Sequence, residues 1–335
     1  MIRRPPRSTL SPSSAASDVY KRQVEDGGRG KPAALNEGLK RAKGEVVVCF
    51  DADYLPQRDI IEKLVAPFVD PEVAIVQGYI AVLNQSTSLV TKVVSLERVG
   101  GYRVDQLARD VLRLIPQYGG TVGAIRKDLL MELGGWDPTI LAEDTDITFE
   151  AIVRGYKVRY LLDAECYEEA VRSWRDYMRQ RYRWAKGHMQ CMFKHFVNLW
   201  RSPFTTLREK IDGTLLLFLY FVPVCVGIGW ILGLYMFFFQ PPFWIYWAWP
   251  AAFTFAYSIT GNFAPFFEAG CGLHLDRRTR SFWLLPLMII PFTINVFLST
   301  KAFFDLIIER LKGKIPEWKP TIHVAAGSVP STSPA

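Results

Sequence analysis

Residues 44–53 (GEVVVCFDAD) place a β-branched run directly before two aspartates. A continuous apolar run of this kind predicts a parallel strand covered on both faces. Asp51 and Asp53 then stand at its carboxyl end, where open α/β sheets bind ligands, and strand alternation lets both carboxylates point the same way. Two hard oxygen ligands suit Mg²⁺ or Mn²⁺ bound together with phosphate oxygens. The alternative, acidic residues that merely end a strand in a turn, stays open on this motif alone.

Helix and strand patterns alternate around this strand. The predicted elements are a helix over 33–42, a strand over 73–78, one or two helices within 89–114, a strand ending at 125, a helix over 127–133, a helix over 144–154 and a strand over 158–162. Such alternation predicts one α/β domain across residues 24–200.

Three runs without a charged residue follow, over 214–239, 242–260 and 282–300. A bilayer core needs roughly 20 apolar residues in a helix, so all three runs are predicted transmembrane segments. Basic residues cluster before the first and third runs, as on the cytoplasmic flanks of membrane helices. The net charge of +7 is explained by these flanks, and nucleic acid is not an expected partner.

The resulting prediction is a multi-pass integral membrane protein of a bacterial inner or plasma membrane, with a cytoplasmic α/β domain. Three full spans would place the basic residues 309–319 on the outer side, against the positive-inside tendency. The stretch 282–308, which Pro286 and Pro291 interrupt, is therefore alternatively a re-entrant or interfacial segment.

The two ends of the chain differ from its middle in composition. Residues 1–23 are rich in Ser, Pro and Arg and are interpreted as a non-native or disordered leader. Residues 313–335 form a cytoplasmic-type tail with a low-complexity, disordered end. The predicted domains are thus 1–23, 24–200, 201–312 and 313–335. The cysteines lack paired spacing, which favours free thiols. His188 and His195, without carboxylate partners at ligand spacing, are interpreted as surface or interfacial residues.

Glu143 and Asp144 precede an apolar helical pattern that begins at Ile147. Asp144 therefore lies near a helix N-terminus, where a carboxylate serves as a cap. In the functional interpretation the same carboxylate takes the proton from an attacking hydroxyl group. The motif by itself does not choose between these two roles.

Gln180, Arg183 and Trp184 fall at positions i, i+3 and i+4 of a predicted helix over 173–196, so they share one face. A guanidinium can bind a diphosphate through two hydrogen bonds, and an indole face can stack on a sugar ring. The helix is also basic and aromatic, which fits a helix lying in a membrane interface.

Together these motifs resemble the membrane-bound family-2 glycosyltransferases, which include cellulose, chitin, hyaluronan and poly-N-acetylglucosamine synthases. The matching stretches are 30–36 (GKPAALN), 51–53 (DAD), 134–137 (GGWD), 142–144 (AED) and 180–184 (QRYRW). The resemblance implies an α/β GT-A domain, the nucleotide-diphospho-sugar transferase fold, followed by an all-α transmembrane region. It also implies a UDP-sugar donor, Mg²⁺ or Mn²⁺, and inversion at the anomeric carbon.

The resemblance also implies roles for individual residues. Asp51 and Asp53 bind the metal and the donor, Asp144 is the general base, and Lys31 and Asn36 line the nucleotide pocket. Gln180, Arg183 and Trp184 bind the diphosphate and the acceptor. The family's first strands and a further base-contacting Asp have no counterpart before residue 44, which predicts an N-terminally truncated chain with impaired turnover.

The expected reaction extends a β-linked polysaccharide from a UDP-glucose or UDP-N-acetylglucosamine donor at the membrane, with accessory subunits as further partners. Two alternatives stay open on the sequence. One is a non-processive enzyme that glycosylates a lipid acceptor, and the other is a catalytically silent membrane scaffold. Product length distinguishes the first alternative, and donor binding distinguishes the second.

Overall fold

One mixed sheet organises the part of the protein that precedes the long apolar helices. The computed structural model describes residues 30–239 and 263–313. Its strands are β1 (Val46–Cys49), β2 (Leu55–Pro56), β3 (Val73–Val82), β4 (Gly123–Arg126) and β5 (Lys157–Glu168). Within the described residues they pair in the order β1-β4-β3-β5-β2. The β3–β5 pair is parallel and the other pairs are antiparallel.

Helices surround the sheet and continue beyond it. They are α1 (Lys31–Arg41), α2 (Ile60–Val65), α3 (Leu89–Arg98), α4 (Leu107–Val111), α5 (Lys127–Glu132), α6 (Glu143–Val153), α7 (Trp174–Arg201), α8 (Leu207–Phe218), α9 (Val222–Phe239), α10 (263–275) and α11 (Ile289–Leu311). The predicted helix-strand alternation through residue 200 is confirmed in these elements.

The prediction of a parallel strand for residues 45–50 is wrong in its pairing. Among the described residues β1 pairs with β4 alone, and that pair is antiparallel. The error arises because an apolar run reports burial and carries no information about the direction of its neighbour. Since β4 is antiparallel to both β1 and β3, β1 still runs in the same direction as β3 and β5. Their carboxyl ends therefore meet at one edge of the sheet.

The central strand β3 is buried on both faces because a separate apolar cluster packs on each side. One cluster includes Ile75, Trp136 and Phe149. The other includes Ile80 and Tyr160. The β3–β5 register shifts after Gly78, where β5 bulges, and a β-carbon on Gly78 would stand 2.6 Å from the carbonyl oxygen of Ala164. Only glycine leaves room for this approach.

The predicted helical stretch within residues 89–114 is confirmed as α3 and α4, which a π-helical segment, Val99–Gln106, connects. Ser88 begins the stretch with a capping box, in which its hydroxyl accepts from the Thr91 amide. The π-helical segment packs closely on α10. A β-carbon on Gly272 would stand 2.4 Å from Val99 Cγ1, so glycine sets the helix separation here.

The predicted membrane segments have unequal outcomes. The run 282–300 lies in one continuous helical stretch, Thr279–Leu311, of 33 residues that is long and apolar enough to cross a bilayer. The run 214–239 instead forms α8 and α9, which meet the same criterion only when counted as a single span bent by 55°. The run 242–260 lies outside the described residues. Pro286 falls inside the 3₁₀-helical start of the continuous stretch, ahead of α11.

The last helix is joined to the α/β domain through polar contacts with α7. Tyr182 donates to Asp305 Oδ2 at 2.6 Å, and Lys186 Nζ donates to Glu309 Oε1 at 2.6 Å. Tyr182 and Lys186 lie on the face of α7 opposite Gln180 and Trp184, since residues at i+2 and i+6 point away on a helix. The final helix therefore supports α7 from behind.

Candidate functional site

A cavity of about 530 Å³ lies at the edge where β1, β3 and β5 end. Ligands bind at such an edge in α/β sheets. The predicted site residues that line it are Lys31, Asp51, Asp53, Asp144, Gln180, Arg183 and Trp184. The structure thus brings four separate sequence motifs to one cavity.

Asn36 is the predicted site residue that does not line the cavity. Its Nδ2 donates to the carbonyl oxygen of Trp136 at 2.7 Å, and its Oδ1 accepts from the Trp136 amide at 2.7 Å. A β-carbon on Gly135 would stand 2.2 Å from the same Oδ1. The structure assigns Asn36 to fixing the turn at Gly135 and Trp136, and its predicted place in the nucleotide pocket is corrected accordingly.

Lys31, at the start of α1, joins three parts of the site. Its ammonium lies 2.9 Å from Asp51 Oδ1 and 3.8 Å from Glu143 Oε1, and it donates to the carbonyl oxygen of Gly120 at 2.8 Å. Burial alone would lower the pKa of Lys31, but the carboxylates of Asp51 and Glu143 outweigh burial and raise it. Lys31 is therefore a fixed positive charge on the cavity wall.

Asp51 and Asp53 offer carboxylate oxygens of the kind that bind a divalent cation. Both residues follow β1 and line the cavity, with Asp53 exposed and Asp51 partly buried. Mg²⁺ typically binds through one or two carboxylates and completes its coordination with waters and substrate phosphates. These residues fit the predicted Mg²⁺ or Mn²⁺, while Lys31 shares the Asp51 carboxylate.

Asp144 lies in the first turn of α6, but it is not the cap. The N-cap is Ala142, and Asp144 is the second helical residue, so the capping interpretation is wrong. Its Oδ1 accepts from the Thr145 amide at 2.6 Å and from the Thr145 hydroxyl at 3.3 Å. Its Oδ2 lies on the other side, 3.1 Å from where a β-carbon on Gly120 would stand. Oδ1 is thus held by Thr145 while Oδ2 faces the Gly120 turn.

The carboxyl group of Glu143, which lines the cavity beside Asp144, has a strongly raised pKa. Burial, followed by the nearby Asp144 carboxylate, raises the pKa of Glu143 to about 7, and Lys31 acts in the opposite direction. The two adjacent acids therefore differ in environment. Glu143 is buried, whereas Asp144 is partly open to the cavity.

Gln180, Arg183 and Trp184 lie on one face of α7 and line the cavity, as their i, i+3, i+4 spacing predicts. Burial lowers the pKa of the Arg183 guanidinium, while Glu143 and Asp144 act to raise it. Trp184 is bordered by two cations: Arg181 Cζ lies 4.4 Å and Arg98 Cζ 5.5 Å from its ring. These cation–π contacts fix the indole plane.

A buried ion pair at the end of β5 belongs to the site but was not predicted. Arg98 donates to both carboxylate oxygens of Glu168, and the Tyr54 hydroxyl donates to the same carboxylate at 2.6 Å. Burial acts to raise the pKa of Glu168, but Arg98 and these hydrogen bonds outweigh it and lower the pKa. The two adjacent acidic residues at 168–169, which follow a strand pattern, could have indicated Glu168 as a site residue. Nothing in the helix pattern around Arg98 distinguishes it from other arginines.

The interpretation of His195 as a surface or interfacial residue is wrong, whereas His188 is partly exposed and lines the cavity. His195 is fully buried, and its Nε2 lies 2.6 Å from Asp146 Oδ1. Asp146, Glu150 and His195 have the spacing of a cation site, but the Lys194 ammonium lies 2.8 Å from Asp146 and 3.3 Å from Glu150. The cluster therefore carries its own positive charge and joins α6 to α7.

Gly187 allows α7 to cross the start of α6 at close range. A β-carbon on Gly187 would stand 2.6 Å from the Ala142 amide nitrogen and 2.8 Å from the Ala142 side chain. This contact immediately precedes Glu143 and Asp144 in the chain. The separation of α7 from the start of α6, which carries Glu143 and Asp144, therefore depends on a residue without a side chain.

We expect Gly187→Ala to lower activity at this site at least tenfold and to lower the thermal unfolding midpoint. Overpacking of this kind costs about 1–3 kcal/mol and moves backbone, here the backbone that carries Asp144. Gly38→Ala in α1 is the matched control, since nothing lies within 4 Å of its added carbon. Both midpoints are measured by tryptophan fluorescence in detergent. Equal activity in the two variants would contradict the close-crossing argument.

Comparison with known proteins gives a consistent family. Residues 46–259 match the family model described as Glycosyl transferase family group 2. The chain is 33% identical over 175 residues to the probable glycosyltransferase YdaM of Bacillus subtilis (strain 168), covering 52% of this chain and 42% of that protein. It is 26% identical over 183 residues to the poly-beta-1,6-N-acetyl-D-glucosamine synthase of Staphylococcus aureus (strain COL), covering 54% and 42%.

A solved structure with a similar chain path is a mannosyltransferase from Pyrobaculum calidifontis in complex with GDP-Man and Mn²⁺. Its TM-score is 0.45 at 20% identity, with 90% of this chain and 74% of that chain covered. The chain spans less than half the length of the two curated relatives named above.

Proposed function

Because the chain belongs to glycosyl transferase family group 2, we propose that it transfers a sugar from a nucleotide-diphosphate donor to a growing β-linked polysaccharide at a membrane. The expected α/β GT-A domain followed by a helical region agrees with this family. The observation that carries the proposal is the single cavity in which Lys31, Asp51, Asp144 and Arg183 converge.

The donor half of the cavity is suited to a diphosphate. Asp51 and Asp53 would hold Mg²⁺ or Mn²⁺, which would neutralise phosphate charge on the leaving group. Lys31 and Arg183 supply fixed positive charge on the same wall, and a guanidinium can bind phosphate oxygens through two hydrogen bonds. The proposed donor is UDP-glucose or UDP-N-acetylglucosamine, the two donors that the family resemblance favours.

The proposed chemical step is a single displacement with inversion. The acceptor hydroxyl oxygen bonds to the anomeric carbon of the donor as the bond from that carbon to the diphosphate oxygen breaks. The hydroxyl proton passes to Asp144, and the nucleoside diphosphate leaves. We assign this proton to Asp144 Oδ2, because Thr145 already donates two hydrogen bonds to Oδ1. A positioned carboxylate base contributes on the order of 10²–10⁴-fold in rate.

The acceptor is proposed to enter from the side of the bent helix pair. Leu219 and Tyr220, at the break between α8 and α9, line the same cavity as Trp184. A polysaccharide is the favoured acceptor, because Trp184 offers an indole beside the transfer position. Because residues of the apolar helix pair line the cavity, a lipid acceptor is the second candidate.

Membrane assays with the complete gene test the proposal. Radiolabelled UDP-glucose, UDP-N-acetylglucosamine and GDP-mannose are offered with Mn²⁺, with Mg²⁺ or with EDTA. We expect one donor to label a product and EDTA to remove most of the signal, because phosphate charge is then left uncompensated. Polymer identifies a synthase, and a single sugar on an organic-soluble product identifies the lipid candidate. Failure of every donor both to react and to bind would overturn the proposal.

A further inference from the structure

The hydroxyl of Thr145 stands at the centre of a hydrogen-bonded cluster beside Asp144. Gln117 Nε2 donates to Thr145 Oγ1 at 2.6 Å, and His188 Nδ1 lies 3.0 Å from the same oxygen. The hydroxyl itself donates to Asp144 Oδ1 at 3.3 Å. Thr145 is 3% exposed, so water does not compete for these contacts.

A threonine hydroxyl has one proton to donate and two lone pairs that accept. Gln117 fills one lone pair, because an amide Nε2 can only donate. When His188 is the Nδ1–H tautomer, it donates to the second lone pair of Thr145, and Asp144 Oδ1 is the acceptor that remains for the Thr145 proton. In the other tautomer, Nδ1 takes the Thr145 proton and Asp144 loses this hydrogen bond. The tautomer of His188 therefore decides which way the Thr145 hydroxyl points.

The position of His188 is fixed on two sides. Its ring stacks on Tyr220 with centroids 4.7 Å apart and planes at 17°. The backbone of Gln117 is anchored by the Gln106 side chain. Gln106 Oε1 accepts from the backbone N–H of Gln117 at 2.8 Å, and Gln106 Nε2 donates to the backbone carbonyl oxygen of Gln117 at 2.7 Å. Burial lowers the pKa of His188 to about 4, so its ring is neutral near pH 7.

We propose that His188 is a positioning residue for Asp144: its Nδ1–H donates to Thr145 and so directs the Thr145 hydroxyl onto the Asp144 carboxylate. This inference rests on the proposed function, in which Asp144 is the base. Thr145, oriented by His188, holds Asp144 Oδ1, and Oδ2 lies outside this contact. It acts through Thr145 and needs no contact with the substrate.

The hydrogen bond from the Thr145 hydroxyl is charge-assisted, because the acceptor is the Asp144 carboxylate. Other groups act on Asp144 from each neighbouring element. They are Glu143 from its own helix, Lys31 from α1, Tyr102 from the π-helical segment, Tyr118 from the turn before β4, and Arg183 and Cys191 from α7. Variants at His188 leave all of these residues in place.

Two substitutions at His188 separate positioning from packing. His188→Asn keeps an N–H donor near the place of Nδ1 but removes the ring that stacks on Tyr220. His188→Phe keeps the stacked ring and removes the donor. We expect His188→Phe to lower kcat roughly tenfold with donor KM unchanged, because loss of the His188–Thr145 hydrogen bond leaves the Thr145 hydroxyl less firmly oriented toward Asp144. His188→Asn stays within about threefold of wild type, because its side-chain N–H replaces the lost donor.

Thr145 gives an independent readout of the same contact. Thr145→Ser keeps the hydroxyl and stays near wild type, whereas Thr145→Val lowers kcat with donor KM unchanged, as His188→Phe does. Loss of activity in His188→Asn with retention in His188→Phe would overturn the positioning role and leave a stacking role. Asp144→Asn is assayed in parallel. If it stays active, the proposed function fails; if it is inactive while every His188 and Thr145 variant resembles wild type, this inference alone fails.

Discussion

Asp144→Asn is expected to lower sugar transfer by on the order of 10²–10⁴-fold, the usual contribution of a positioned general base. An amide of the same shape keeps the contact with the Thr145 amide through its oxygen but cannot accept the acceptor proton. Donor binding should stay within about twofold, because Lys31, Asp51 and Arg183 are unchanged. Turnover is measured by radiolabel incorporation, and donor binding by equilibrium titration on the same membranes.

Two further variants make the Asp144 result specific. Glu143→Gln alters the adjacent, buried carboxyl group, whose pKa of about 7 leaves it partly protonated near neutral pH. We expect a smaller loss than in Asp144→Asn, with an effect on donor affinity through Lys31. Asp163→Asn changes an exposed carboxylate and should be silent. If Glu143→Gln is the more severe variant, the base is assigned to the wrong acid.

Arg98→Met is expected to lower the thermal midpoint by on the order of 10 °C. Removing one member of a buried ion pair costs about 3–5 kcal/mol, since the remaining charge stays buried without compensation. In a domain of this size each 1 kcal/mol corresponds to roughly 2–4 °C. Glu168 is 5% exposed and would lose both hydrogen bonds from Arg98. Thermal unfolding followed by tryptophan fluorescence in detergent measures the shift.

Arg159→Met is the matched control for Arg98→Met. Arg159 also forms a two-fold hydrogen bond with a carboxylate, that of Asp110, but its side chain is 46% exposed. Exposed pairs contribute about 0–1 kcal/mol, so this variant should shift the midpoint little. Equal shifts in the two variants would show that burial of the Arg98 pair does not matter.

Acidification gives a second check on the Arg98 pair. The pKa of Glu168 is lowered in the folded protein, so its contribution to stability is present above the unfolded value of about 4.3 and is lost as pH falls through the folded value. The difference in thermal midpoint between the wild type and Arg98→Met should therefore become smaller at low pH. If the difference in thermal midpoint stays constant with pH, the charge of Glu168 is not its source.

Local patterns predicted several elements of this protein correctly. The apolar periodicity placed α6 and α7, and the i, i+3, i+4 spacing put Gln180, Arg183 and Trp184 on one face, which the structure turns into the cavity. These predictions succeed because each depends on residues within a few turns of one another. The geometry of one helix or strand is enough to derive them.

The errors share a different cause. The pairing of β1, the buried state of His195 and the use of Asn36 to hold Trp136 all depend on partners far away in the chain. The sequence around each of these residues contains no pattern from which its distant partner could be predicted. The same holds for Arg98 and Glu168, whose pairing across 70 residues is invisible in either neighbourhood.

The sequence by itself therefore determined which chemical groups this protein offers: acidic motifs, a basic and aromatic helix, and long apolar runs. Only the tertiary structure decided which of these groups meet and in what electrostatic state. It placed Lys31 against Asp51, buried Glu143 beside Asp144, and set His188 behind Thr145. The physical reason is that pKa values and hydrogen-bond partners depend on burial and on distances of a few ångströms, which arise from contacts between distant parts of the chain.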